Sequence, residues 1–152
     1  MRKIWSPLWI LVLSTACGGG GGGPTGGSSL PSRTVISTGS VQLVDPVTAI
    51  GQERLCDAMG FVPFTTPALG TLDATVDWTV ASNDIDVYLE RGECTCAMAL
   101  ADACQDVASS ESTTAKPEKL TVTNLSAGSY TLVIGNAGPG RESSSYEVGL
   151  TR

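Results

Sequence analysis

Asn83, Asp84 and Asp86 bring three oxygen-bearing side chains into four positions, and Tyr88 continues the two-residue spacing. Carboxylates and carbonyls converging where a loop enters a strand suit a hard cation, so Ca²⁺ is the ion this group would take. An aromatic ring turned outward beside acids suits a sugar or peptide groove instead. The plainer chemistry is a turn in which Asp84 bonds its own backbone while its neighbours form a solvated face. EF-hand spacing is absent, and no cofactor beyond that ion is expected.

Cys56, Cys94, Cys96 and Cys104 form an even set, which in a small exported domain reads as two disulfides. A bridge from Cys94 to Cys96 would close too tight a loop within an extended segment. Two pairings remain. In the expected one Cys94 joins Cys104 within an insert and Cys56 ties that insert to the body through Cys96; the swapped pairing is the alternative. Zinc is disfavoured by Cys-x-Cys spacing and by the absence of histidine. A catalytic redox pair would need thioredoxin-like spacing, which is missing.

With no histidine in the chain, triads and general bases built on imidazole are excluded. The glycines at 135–140 lack the lysine and serine of a phosphate loop and stand between two strand-like stretches, so a hairpin is expected there. Lys116 and Lys119 lie between a Ser/Thr-rich loop and a strand, a poor setting for a Ser–Lys dyad. These exclusions make the expected function non-catalytic.

The first residues carry Arg2 and Lys3, then an apolar run over 4–13 and the small residues Ser14, Thr15 and Ala16 before Cys17. That is the layout of a secretory leader, and the run is shorter than the roughly 20 residues a spanning helix needs. Small residues ending on a cysteine resemble the lipobox of bacterial lipoproteins, although Ser14 stands where that family usually has leucine. The resemblance implies cleavage after 1–16, lipidation of Cys17 and attachment to the membrane. Residues 17–29 then form a tether rich in Gly and Ser, spanning about 20 Å as a random coil. Gly18 after the cysteine, in place of aspartate, points to the outer membrane as the location in the cell envelope. Loss of the leader leaves seven basic against fifteen acidic residues, a balance that excludes nucleic acid as a partner.

Residues 30–152 make one domain, and the elements that must position the acids and cysteines show a period of two. Leu72, Ala74, Val76, Trp78 and Val80 alternate with Thr71, Asp73, Thr75, Asp77 and Thr79. Ile85, Val87 and Leu89 alternate with Asp84, Asp86, Tyr88 and Glu90; Leu120 and Val122, then Tyr130, Leu132 and Ile134, then Tyr146, Val148 and Leu150 repeat the pattern. Shorter strands are expected at 41–44 and 61–64, and a short helix only within 95–107. Parity turns Trp78, Tyr130 and Tyr146 inward and Tyr88 outward. One buried face per strand and closely spaced turns predict an all-β fold, an antiparallel β-sandwich.

The stretches GTLDATVDW, NDIDVYL, NLSAGSYTLVIGN and SYEVGLT resemble the bacterial pre-peptidase C-terminal domain family over 61–151. The resemblance rests on Asp-x-Asp before an apolar strand and on Ala-Gly-x-Tyr entering the next-to-last one. It implies a jelly-roll-like sandwich with an accessory role beside exported enzymes. No protease precedes the domain in this sequence, and a cysteine-bearing insert occupies 93–107. The expectation is a lipid-anchored envelope module that binds a protein, peptide or polysaccharide through Asn83, Asp84, Asp86 and Tyr88. A structural surface lipoprotein, or an accessory subunit of a secreted hydrolase, is the alternative.

Overall fold

The computed structural model describes residues 30–46 and 52–152. The leader, Cys17 and the tether lie outside the described residues. In chain order the elements are β1 (Arg33–Leu43), α1 (Gln52–Asp57), β2 (Met59–Thr66), β3 (Gly70–Trp78), β4 (Ile85–Arg91), α2 (Cys96–Leu100), β5 (Asp106–Ser110), β6 (Glu118–Leu125), β7 (Gly128–Asn136) and β8 (Glu142–Thr151). The strands form two antiparallel four-stranded sheets: a first in the order β1-β8-β3-β6 and a second in the order β2-β7-β4-β5. Every connection except β4 to β5 passes from one sheet to the other, the winding of a jelly roll. Among the described residues no helix is long and apolar enough to cross a membrane.

Alternation builds the core between the sheets. Leu72 and Val76 of the first sheet, and Ile85, Leu89, Leu132 and Ile134 of the second, are fully buried. Tyr130 stacks on Phe64 with ring centroids 6.0 Å apart, and its hydroxyl donates to the Ser126 carbonyl at 2.9 Å. Trp78 is buried as well, its indole N–H donating to the Asn83 carbonyl at 3.1 Å.

The structure corrects several expectations. Val80 lies past the end of β3 and is 44% exposed. Tyr146 is only half-buried. It stands on the core side opposite Val76, but its other neighbour, on the edge strand β1, is Gly39, which has no side chain to cover the ring. The glycines at 135–140 form no hairpin, because β7 pairs with β2 and β4 whereas β8 pairs with β1 and β3. This link crosses between sheets, folded over Asn136, whose amide donates to the carbonyls of Gly140 at 2.8 Å and Val44 at 2.9 Å. Gly138 must be glycine there, since a Cβ would fall 2.3 Å from Asn83 Oδ1. The helix α1 and the strand β5 are further elements that periodicity did not announce; both are short, at six and five residues.

A buried carboxylate fixes the β3–β4 loop. Glu142 Oε1 accepts from the backbone N–H and hydroxyl of Thr79 and from the Ser143 N–H, and Oε2 accepts from the Val80 N–H and the Asn83 amide. Burial alone would raise this acid, but the bonds from Thr79, Asn83 and Ser143 outweigh it and bring its pKa down to about 2. The native state therefore holds the proton more weakly than the unfolded chain. This contribution to stability is complete above the ordinary glutamate range and is lost as pH falls towards about 2.

Candidate functional site

The outer face of the second sheet holds the features that distinguish this sandwich. Alternation turns Met59, Phe61, Pro63 and Thr65 of β2, Ser129, Thr131, Val133 and Gly135 of β7, and Asp86, Tyr88 and Glu90 of β4 to the side away from the core. Such a face would ordinarily be solvated. Here Thr131 and Val133 are 1% and 5% exposed. Residues 92–105 cause this burial by leaving β4, crossing the face as a strap and returning into β5.

Backbone bonds and disulfides together hold the strap down. Its base closes through the Arg91 N–H to the Gln105 carbonyl at 2.8 Å, and the Gly92 N–H reaches the Ser129 carbonyl at 2.8 Å. Gly92 makes that exit at φ 78°, a conformation open to glycine at little cost. In mid-sheet the Thr131 hydroxyl donates to the Gly92 carbonyl at 2.8 Å and accepts from the Cys94 N–H at 3.1 Å. Cys94 bonds Cys104 across the strap, and Cys96 at the start of α2 bonds Cys56 of α1. The first of the two pairings left open by the sequence is the one present.

Two openings flank the strap. On the β2 side a recess of about 600 Å³ runs past Phe61, Pro63 and Thr65 to Gly92, Glu93 and Thr95. On the β4–β5 side a cleft of about 270 Å³ is lined by Tyr88, Glu90 and Asp106 together with apolar groups.

The structure separates the residues that the sequence grouped. Asn83 is 6% exposed and turned into the loop lock at Glu142, so it does not stand with the acids as a ligand. The Asp84 carbonyl accepts from the Ala137 and Gly138 N–H groups and holds the β7–β8 link against β4. Asp86 and Tyr88 do share the outer face, both half-buried. Burial raises the Asp86 carboxyl to about 6, helped by the Asp84, Glu111 and Glu118 carboxylates and opposed by a hydrogen bond from Tyr88. Burial and the Asp86 charge push the Tyr88 phenol to about 12, so it stays neutral. Among the described residues no three Asp, Glu or Cys side chains converge to hold a metal ion. Lys116 is committed elsewhere, with its ammonium over the Trp78 ring and bonded to Asp77 and the Trp78 carbonyl.

Glu90 is the residue that sequence reasoning misplaced. Parity assigned it to a solvated face, but the strap closes over it and leaves it 5% exposed. Burial, then contact with the Asp106 carboxyl, raises it to about 7. The signal was its position four residues before Cys94, since an insert stapled by disulfides must lie on something.

No protein-family model matches the chain, and no curated protein does. Among solved structures the chain is similar to the pre-peptidase C-terminal domain of collagenase from Bacillus anthracis, at 13% identity and a TM-score of 0.52, covering 75% of this chain and 89% of that one. The fold is like that of a pre-peptidase C-terminal domain. At this identity the likeness is one of architecture, and it agrees with the winding seen in the sheets. The Yersinia pseudotuberculosis-derived mitogen is also similar, at 14% identity and a TM-score of 0.49, covering 80% of this chain and 87% of that one.

Proposed function

We propose that the chain is a non-catalytic binding module of the cell envelope, tethered by a lipid on Cys17, which presents the strapped face of its second sheet to a partner protein. The observation that carries this reading is the strap. Two disulfides and the Thr131 bonds fix residues 92–105 across a face that needs no cover for the core to form, and a recess of about 600 Å³ stays open beside it. A rigid concavity with apolar walls at Phe61 and Pro63 is what recognition requires, because little ordering entropy is left to lose on binding. The leader-like start, the cysteine at its end and the Gly/Ser tether support the envelope location.

Fractionation combined with affinity capture from the native envelope tests this reading. Cys17→Ser should leave the membrane fraction or remain unprocessed, because serine forms no thioether. Asp86→Asn and Tyr88→Phe in the anchored protein should weaken partner capture several-fold without lowering the thermal midpoint at neutral pH, since asparagine removes a carboxylate charge that burial disfavours. Membrane-bound, processed Cys17→Ser protein would remove the anchor, and capture indifferent to both face variants would remove the binding face.

A further inference from the structure

The cleft on the β4–β5 side carries a more specific chemistry than the recess. Glu90 is only 5% exposed, and its Oε2 atom has no hydrogen-bond partner among the described residues. Leaving a buried acceptor unpaired is costly, more so when the group is charged. Asp106 stands beside it on β5, paired with it in the sheet register. The two ion pairs seen among the described residues, Arg33 with Glu147 and Lys116 with Asp77, involve neither acid. The nearest arginine in sequence, Arg91, lies over the Tyr130 ring at 5.3 Å and bonds Ser126. Among the described residues the cleft is therefore a negative site without a counter-charge of its own.

Its remaining walls say what would fill it. Val133 of β7, Met59 of β2 and Ala99 of α2 are apolar, and Tyr88 adds an aromatic ring. At about 270 Å³ the space falls just below the roughly 300–1,000 Å³ of sites that take whole small ligands. One long side chain suits it better. We propose that this cleft takes the ammonium group of a lysine side chain from the partner protein, with Glu90 and Asp106 as counter-charges and Met59, Ala99 and Val133 against its methylene stem. An ammonium is a compact charge with three donors, which matches one orphaned oxygen and a neighbouring carboxylate; a guanidinium fork would want both oxygens of one carboxylate free. A divalent cation is the poorer match, because the acids do not converge in the manner of a metal site. The inference rests on the proposed binding face and specifies its chemistry.

Protonation adds a handle. Among the described residues the charged and titratable groups around Glu90 are Tyr88 and Asp86 on its own strand, Asp106 on β5 and Asp102 in the strap, while β7 presents Thr131, opposite Glu90 in the register, with Val133 and Gly135, and β2 presents Met59. Burial and the adjoining Asp106 carboxyl favour the protonated form of Glu90, which is raised to about 7. A bound ammonium reverses that preference. By linkage, every unit by which the ligand lowers the Glu90 pKa is a tenfold gain in affinity between low and high pH.

The test is a ¹³C carboxyl titration of the full chain, purified in non-ionic detergent, with an acetylated and amidated Gly-Lys-Gly peptide as probe. The Glu90 carboxyl should titrate near its raised value alone and at least one unit lower with saturating peptide, with binding at least about eightfold tighter at pH 8 than at pH 5. Glu90→Gln should abolish the pH dependence and weaken binding at least tenfold, and Asp106→Asn should weaken it several-fold. An equal effect from the Nε-acetyl-lysine peptide, tighter binding of the arginine peptide, or a shift produced by Ca²⁺ and by no peptide would each overturn the proposal. Absence of any shift with the lysine peptide overturns it too. If the face variants Asp86→Asn and Tyr88→Phe still weaken envelope capture in that case, the binding face stands and only the cleft assignment falls.

Discussion

Reducing the Cys56–Cys96 and Cys94–Cys104 bridges is expected to destabilise the domain by several kcal/mol and to open the strapped face. The bridges close loops with sequence separations of 40 and 10. Loop-closure entropy alone assigns them about 4 and about 3 kcal/mol, the two not being additive because the loops share the strap. Against a total of about 5–15 kcal/mol for a domain, either loss is large. The thermal midpoint should fall by about 10–20 °C for Cys56→Ala paired with Cys96→Ala, and labelling should find no free thiol at these four positions in the exported protein. The strap should respond first. Its Gly92 and Cys94 amides, which donate to the Ser129 carbonyl and the Thr131 hydroxyl, should exchange with solvent before those of the core strands once the bridges are cut. An unchanged midpoint in reductant would show that the bridges do not staple the face.

Tyr130→Ala is expected to cost about 3–5 kcal/mol, the usual range for truncating a large buried aromatic. The ring is 1% exposed, stacked on Phe64, covered by the Arg91 guanidinium at 5.3 Å and anchored through its hydroxyl to Ser126. Tyr130→Phe isolates the hydroxyl and should cost about 1 kcal/mol. Tyr146→Ala provides the contrast, because its ring is half-exposed over Gly39 and should lose less than half as much. Urea denaturation midpoints measure all three. A Tyr130→Ala loss within about 1 kcal/mol of zero, or a Tyr146 loss as large as that of Tyr130, would contradict the core described here.

The sandwich was legible because alternation is a local property. Leu72, Val76, Ile85, Leu89, Leu132 and Val148 each declare a face within their own strand, and the structure buries all of them. What alternation does not encode is which strand lies beside which. Thus the glycines at 135–140 look like a hairpin from their own residues, yet they cross between sheets because β7 and β8 find partners far away in sequence. Tyr146 has inward parity and remains half-exposed for a similar reason: its cover depended on Gly39, more than a hundred residues earlier.

The candidate site was legible in part and for the same physical reasons. Asp86 and Tyr88 share the outer face, as their spacing required. Asn83 left the group because the loop needed its amide on Glu142 and its carbonyl on Trp78. Glu90, Thr131 and Val133 have outward parity but are buried by the strap rather than by the sheet. A period of two reports the pleat and is silent about what is later laid across it. The cysteines held that information, and only their pairing in three dimensions turned it into a covered face.

The most direct measurement of whether the strapped face is the binding face is site-specific photo-crosslinking in the intact envelope. A photoreactive side chain at Thr65, exposed at the rim of the recess, is compared with one at Thr121, exposed on the outer face of the first sheet. A strapped binding face predicts a discrete adduct from position 65 and none from position 121. Adducts from position 121 alone, from both positions equally, or from neither would contradict it.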